Sequence, residues 1–397
     1  MGKPLIVWTI DALERSGVTE VIVIQSPSLI IEEELRNHAS KLTIKFVLQE
    51  NPGGMGDALL AARDLLQESF VVLHAHQFTA DLWLPSLIEL KQQSKAEAVL
   101  AGKHTEEPWK YGIFKLEGSK ATAIVEKPAE GSAPSDVRAL GLYLLSKKFI
   151  ESLENISEEH YSFERALDEY MKQYEVKVHV DDKPTVSLKY PWDLFSASTT
   201  LMKLHLTAHQ SNSARISPLA HIEGDVFIGE NAKIFEYAVI KGPCYVGNDA
   251  VVGTHAIVRD FTNLESNVLV GAHAEAARTI FQTQSSTHSG FFGDSIFDRA
   301  AKIGAGTITA NVKVHRDEIR PTIKGEKTRT ARNSLGVVVG SETQLGISVK
   351  TMPGILIGAN SFVGPGAIVS ENIDSNTRYL VKQESILKIK KKRESSS

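Results

Sequence analysis

Ten aliphatic residues stand six apart in an unbroken series: Ile216, Ile222, Ile228, Ile234, Ile240, Val246, Val252, Val258, Leu264 and Val270. Two positions before each stands a small or β-branched residue, among them Ala232, Ala238, Cys244, Ala250 and Ala256. A glycine often follows, as in Ile228-Gly229 and Val252-Gly253. A period of six fits neither a helix nor a long strand, so the chain must turn a corner after each short strand. That is the pattern of a hexapeptide β-helix, in which one aliphatic per strand points inward and stacks on its counterpart about 4.8 Å away. The same phase returns at Val339, Leu345, Ile357, Val363 and Val369, with Thr351 as a polar member. Between residues 281 and 335 the repeat is broken, and breaks in solenoids are where function is commonly grafted.

The 397 residues suffice for two or three domains, and a formal charge of −4 gives no reason to expect nucleic acid as a partner. The single cysteine, Cys244, on an inward position, excludes a disulfide framework and is expected of a reducing cytoplasmic compartment. No run of 18 apolar residues and no basic leader followed by an apolar stretch is present, so neither a membrane span nor a signal peptide is expected. Residues 381–397 end in Lys390-Lys391-Lys392-Arg393, which reads as a basic, solvated tail; an anchor for an anionic surface is the alternative.

Residues 1–205 alternate helix and strand signals: helix over 10–18, strand over 20–24, helix over 29–38, strand over 42–48, helix over 56–66 and an apolar strand at Phe70-Val71-Val72-Leu73. Further strands are expected at 98–101, 112–116 and 121–125, and a helix opening at Pro191 leads to the β-helix of residues 206–380. This order predicts an α/β, Rossmann-like, largely parallel doubly wound sheet.

The signals Gly2-Lys3-Pro4, Gln49 with Gly53-Gly54-Met55-Gly56, Tyr111-Gly112, Glu126-Lys127-Pro128, Gly141-Leu142-Tyr143 and Tyr190-Pro191-Trp192-Asp193 resemble those of sugar-1-phosphate nucleotidyltransferases. The second half is similar to the left-handed β-helix of the bifunctional glucosamine-1-phosphate acetyltransferase and N-acetylglucosamine-1-phosphate uridylyltransferase family, especially its archaeal-type members. The resemblance covers nearly the whole chain. It implies a nucleotidyltransferase domain lacking the family's first strand and glycine-rich phosphate loop, followed by a homotrimeric left-handed β-helix of hexapeptide repeats. Gln49, Gly54 and Gly56 would meet the nucleotide, and Glu126 and Lys127 the sugar phosphate; a strand-to-helix turn and a solvated surface pair are the plain alternatives.

Two departures bear on nucleotidyl transfer. Where the family ends the apolar strand in a metal-binding aspartate, this chain has His74-Ala75-His76, and its second metal position is Ser187. Neither imidazole nor hydroxyl suits Mg²⁺, so no metal site is expected and Mg²⁺ belongs only to a working nucleotidyltransferase half. A transition-metal site at His74 and His76 is the weaker alternative, because no third ligand stands nearby in sequence.

The interrupted region carries the acetyltransferase features. His288 precedes Gly293-Asp294 by the family's five residues, and Gly304-Ala305-Gly306-Thr307-Ile308-Thr309-Ala310-Asn311 matches its signature. The resemblance makes His288 the base that takes the amine's proton and Asn311 the residue that aligns the reactants. Arg259, which keeps the family's spacing to Glu275, would clamp the acceptor's phosphate. Ala305 and Ser341 would line the acetyl-CoA channel, with Lys324, Lys327, Arg329 and Arg332 toward the CoA phosphates; a solvated basic loop is the alternative for these four. On the acceptor side the family's lysine is replaced by Ala277 with Arg278 beside it, its tyrosine by Phe291 and an asparagine by Lys302. An ordinary exposed histidine and a corner arginine are the alternatives for His288 and Arg259.

The combined expectation is acetyl-CoA-dependent N-acetylation of an amino-sugar phosphate in sugar-nucleotide biosynthesis. The rivals are a sugar-1-phosphate nucleotidyltransferase whose β-helix only oligomerises it, and a regulatory or scaffold subunit that binds sugar nucleotide without turnover.

Overall fold

The computed structural model describes residues 1–50, 53–156, 161–382, 384–385 and 387; most of the basic tail lies outside them. Two compact units emerge, Lys3–Leu188 and Lys189–Ser397, the latter joined by Met1–Gly2.

The first unit runs α1 (Leu5–Arg15), β1 (Glu20–Gln25), α2 (Ile30–Arg36), β2 (Thr43–Leu48), α3 (Met55–Ala61), β3 (Ser69–Leu73), α4 (Ala80–Gln93), β4 (Ala98–His104), β5 (Gly112–Glu117), β6 (Lys120–Glu126), β7 (Val137–Ser146), α5 (Lys148–Glu154), α6 (Ser162–Gln173) and β8 (Val176–Val180). Helix α1 begins five residues before the expected start, because Val7, Ile10 and Leu13 place one apolar stripe against the core. The expectation of a largely parallel sheet is corrected. The larger sheet has the order β3-β7-β4-β8-β6-β5 and is mixed, with β7 antiparallel to both β3 and β4. Strand β7 is ten residues long and mostly buried, and it sits between strands that the sequence pattern alone would pair directly.

Strands β1 and β2 form a separate parallel pair. Between β1 and β3 lies an apolar slot of about 750 Å³, walled by residues 21–24 and 69–73 and floored by α1 and α3.

In the second unit three parallel sheets of nine, eight and eight short strands form a β-helix. One inward column reads Ile216, Ile234, Val252, Val270, Thr287, Ile303, Leu345, Val363 and Tyr379, each residue paired with the next. The small residues two positions earlier, such as Ala232, Ala250 and Ala256, are fully buried, so each coil closes tightly around its aliphatic ring. Each buried aliphatic contributes on the order of 2 kcal/mol.

The expected break narrows. Residues 281–309 continue the coil, with Phe281, Thr287, Phe292, Phe297 and Thr309 turned inward, and only residues 310–337 leave it. Coils here are shorter, since Ala274 pairs with Gly290 and Gly290 with Thr307. Bulky rings filling tighter coils hid the repeat from an aliphatic pattern. Helix α7 (Asp193–His205) opens two residues after Pro191 and is fixed to this unit, where Trp192 and Phe195 pack on Ile280, Ile296, Ile319 and Leu335.

Candidate active site

The coil turns three corners, and the expected acetyl-transfer residues are spread over all of them. His288 and Ala305 stand on the corner before strands Gly290–Gly293 and Thr307–Thr309; Arg278 and Asn311 stand on the corner where those sheets end. Ser341 is on the third corner, while Phe291 and the exposed Lys302 lie on outward faces. Strand Gly290–Gly293 separates the His288 corner from the Asn311 corner, a span of about 13 Å. One chain therefore does not bring His288 and Asn311 together.

The His288 corner is one residue short. Gly271, Ala272 and His273 join Leu269–Val270 to Ala274, but only His288 and Ser289 join Ser286–Thr287 to Gly290. The tight turn depends on glycine, since Gly290 has φ +142° and an added Cβ would sit 2.0 Å from the Thr307 carbonyl oxygen. The imidazole of His288 is exposed, and among the described residues no side chain is hydrogen-bonded to it. It is a base without a competing intramolecular partner.

The opposite corner holds a network of charges. Arg278 donates through Nε and Nη2 to the two carboxylate oxygens of Asp294 at 2.7 and 2.9 Å. Asn311 Nδ2 donates to Asp294 Oδ2 at 2.6 Å, and Ser334 Oγ to Oδ1 at 3.3 Å. Asp294 is buried, so these four donors replace the water it has lost. Arg259 donates to Glu275 Oε1 at 2.9 and 2.7 Å and also contacts Asp260, which in turn accepts from Arg278. Hydrogen bonds donated to Glu275 and Asp294 raise the pKa values of Arg259 and Arg278 respectively. Arg259 is thus already engaged, and clamping a phosphate would require it to share its donors. Sequence reasoning used Asp294 only as a landmark; its spacing from Arg278, sixteen residues or one short coil, was the signal for its structural part.

Arg332 stands apart from Ala305 and Ser341. It returns from the 310–337 excursion to the Arg278 side, where Nη2 donates to Ser196 Oγ at 3.1 Å.

In the first unit Gln49 Nε2 donates to the Gly54 carbonyl at 3.2 Å and Asp57 Oδ2 at 2.6 Å, closing its own loop. Gly54 has φ +111°, and Gly56 packs so closely that a Cβ would lie 2.2 Å from Ser162 Oγ. Both glycines therefore have a structural reason to be there. Glu126 and Lys127 form an ion pair at 3.4 Å at the end of β6. Beyond β3, the rings of His74 and His76 stack with centroids 5.4 Å apart. Burial lowers the pKa of His74, and burial followed by the neighbouring His74 charge lowers that of His76 to about 4. Both rings are neutral near pH 7 and, with the Ser187 hydroxyl, do not fit Mg²⁺, which takes anionic oxygen. Among the described residues no three His, Cys, Asp or Glu side chains gather to hold a metal ion.

Fold and site together define a two-part transferase, a nucleotidyltransferase domain joined to a β-helix of hexapeptide repeats. Residues 1–192 match the nucleotidyl transferase family, and residues 225–260 match six bacterial transferase hexapeptide repeats. The chain is 33% identical over 391 residues to the bifunctional protein GlmU of Methanococcus maripaludis strain C7, covering 97% of this chain and 92% of that protein. It is 28% identical to the bifunctional protein GlmU of Methanocaldococcus jannaschii, with the same coverage. It is 27% identical to the bifunctional sugar-1-phosphate nucleotidylyltransferase/acetyltransferase of Sulfurisphaera tokodaii, covering 94% and 91%. The chain belongs to the bifunctional GlmU family. Among the described residues, no helix is long and apolar enough to cross a membrane.

Proposed function

We propose that the β-helix unit is an acetyl-CoA-dependent N-acetyltransferase for an amino-sugar phosphate, with its reaction site between neighbouring copies of the chain. The observation that carries this reading is the exposed, unpartnered His288 on the shortened corner, set against an Asn311 held rigidly by Asp294 on the far corner. His288 takes a proton from the sugar ammonium; the freed amine attacks the thioester carbonyl, the C–S bond breaks and the CoA thiolate leaves and is protonated. In the Gly304-Ala305-Gly306 turn the amides of Gly304 and Gly306 donate to the carbonyls of Leu345 and Ser289, which leaves the Ala305 amide to donate to the oxyanion of the tetrahedral intermediate. Phe291, whose ring lies over Gly293 on the Asn311 side of the strand, serves as an apolar platform for the acceptor. A homotrimer is the proposed assembly, since a closed threefold ring can set one copy's His288 corner beside a neighbour's Asn311 corner, which one chain does not do.

Free thiol released from acetyl-CoA with glucosamine 1-phosphate tests the reading. Release that disappears in His288→Ala supports it, and release unaffected by that substitution contradicts it.

A second reading, sugar-1-phosphate nucleotidyl transfer by the first unit, is favoured by the family match over residues 1–192 and by the retained Glu126–Lys127 pair. Against it stand the neutral His74 and His76 where a cation would need carboxylates. Pyrophosphate release from UTP, Mg²⁺ and N-acetylglucosamine 1-phosphate decides it; on the reading preferred here that release is absent.

A further inference from the structure

Leu219, Tyr237, His255 and His273 stand eighteen residues apart, at one corner of four successive coils. The rings of Tyr237 and His255 stack with centroids 4.9 Å apart and planes 9° from parallel, and those of His255 and His273 at 5.2 Å and 12°. The next coil carries His288 on this same corner, since Thr287 pairs with Val270. The column therefore runs up to the base of the proposed transfer.

The turn alone does not account for these rings. Tyr237, His255 and His273 have φ of 59°, 59° and 57°, the left-handed region, which suits short polar side chains and strains a bulky one such as Tyr237. Another corner of the same coils makes the same left-handed turn with Asn231, Asp249 and Asn267. Stacked rings also leave apolar surface in water: Leu219 and Tyr237 are each 52% exposed, and Phe235, two residues before Tyr237, is 41% exposed. A continuous exposed stripe of this kind marks a contact surface.

Both imidazoles are exposed, and among the described residues neither makes a hydrogen bond or an ion pair. The titratable groups around them are the Tyr237 hydroxyl, Glu236 beside it, Lys233 on the strand entering that turn, Glu275 on the strand leaving the His273 turn, and His288 on the coil above. Glu275 is committed to Arg259. A proton on either histidine thus meets no carboxylate paired with it, and two charged rings face to face repel each other.

We propose that this column is an acid-sensitive contact between copies of the chain: neutral rings pack against a neighbouring copy, and protonation of His255 and His273 separates the copies. The inference rests on the shared transfer site proposed above, because the column continues the His288 corner that faces a neighbour there. Separated chains bind more protons than the assembly does, so acid favours separation. Histidine changes charge between about pH 5 and 8, and every site built from two copies is lost as pH falls through that range.

The test is analytical sedimentation of the full-length protein at about pH 8 and about pH 5.5, with circular dichroism showing the chain folded at both. The apparent dissociation constant of the unaltered oligomer is expected to rise at least about tenfold at the lower pH, and to change less than about threefold in the double variant His255→Asn with His273→Asn, which keeps the left-handed turn. His288→Ala is expected to keep the full acid response, since His288 lies outside the stack. An oligomer equally stable at both pH values, or an acid response undiminished in the double variant, would overturn the proposal and leave the shared site standing. A single chain at about pH 8 would overturn both.

Discussion

Asp294 and Asn311, joined at 2.6 Å, tie the last ordered strand before the excursion to the coil beneath it. The bond matters because Asp294 is buried and spends its remaining capacity on Arg278, so Asn311 is fixed by a carboxylate that cannot turn away. Replacing Asp294 by alanine strands the Arg278 charge and frees Asn311, at a cost of about 2–4 kcal/mol. Urea unfolding measures that loss, and acetyl transfer is expected to fall with it. Asp294→Asn is expected to restore part of the stability and less of the activity.

Gly290→Ala addresses the shortened corner. The new Cβ meets the Thr307 carbonyl, and the φ of +142° is strained for any side chain, so destabilisation of at least about 1–3 kcal/mol is expected. Because the turn carries His288, thiol release is expected to drop even at temperatures where the variant remains folded. Circular dichroism alongside the thiol assay separates the two effects.

His76 gives the first unit a definite pH response. Its folded-state pKa of about 4 lies below the ordinary 6.5, so the unfolded chain binds more protons between those values. The associated stability is complete above about pH 6.5 and is lost as pH falls toward 4, amounting to about 1–2 kcal/mol after allowance for solvent access. Urea midpoints at pH 7 and pH 4.5 are expected to differ less in His76→Gln than in the unaltered protein.

The slot between β1 and β3 makes the two units unequal. A strand pair detached from the main sheet, beside about 750 Å³ of apolar space, has unpaired edges and an unfilled apolar face, both of which favour local opening. Limited proteolysis is expected to cut within Lys3–Leu188 before it cuts the coil, with N-terminal sequencing of the fragments as the check. Equal resistance of the two units would contradict this.

Much of the second unit was legible in the sequence because its core repeats one residue class at one interval, and Ile216 to Val270 had only one geometry open to them. Legibility ended where the class changed. Phe281, Phe292 and Phe297 fill the same inward positions but break an aliphatic pattern. In the first unit β7 crosses the sheet antiparallel between β3 and β4, a long-range pairing that local periodicity does not encode. Among site residues, spacing marked His288 and Asn311 individually, yet the distance between corners follows from coil geometry. Arg332 was read toward the CoA phosphates because nothing local reveals that the loop returns beside α7.

The most direct test of a site shared between copies mixes two inactive variants. His288→Ala and Asn311→Ala are unfolded together, refolded as mixed oligomers and assayed for thiol release from acetyl-CoA with glucosamine 1-phosphate. If each site takes His288 from one chain and Asn311 from its neighbour, random mixing restores about one site in four. Activity near a quarter of the unaltered protein, absent from either variant refolded alone, is the expected result. Mixed oligomers as inactive as their parents would contradict the shared site.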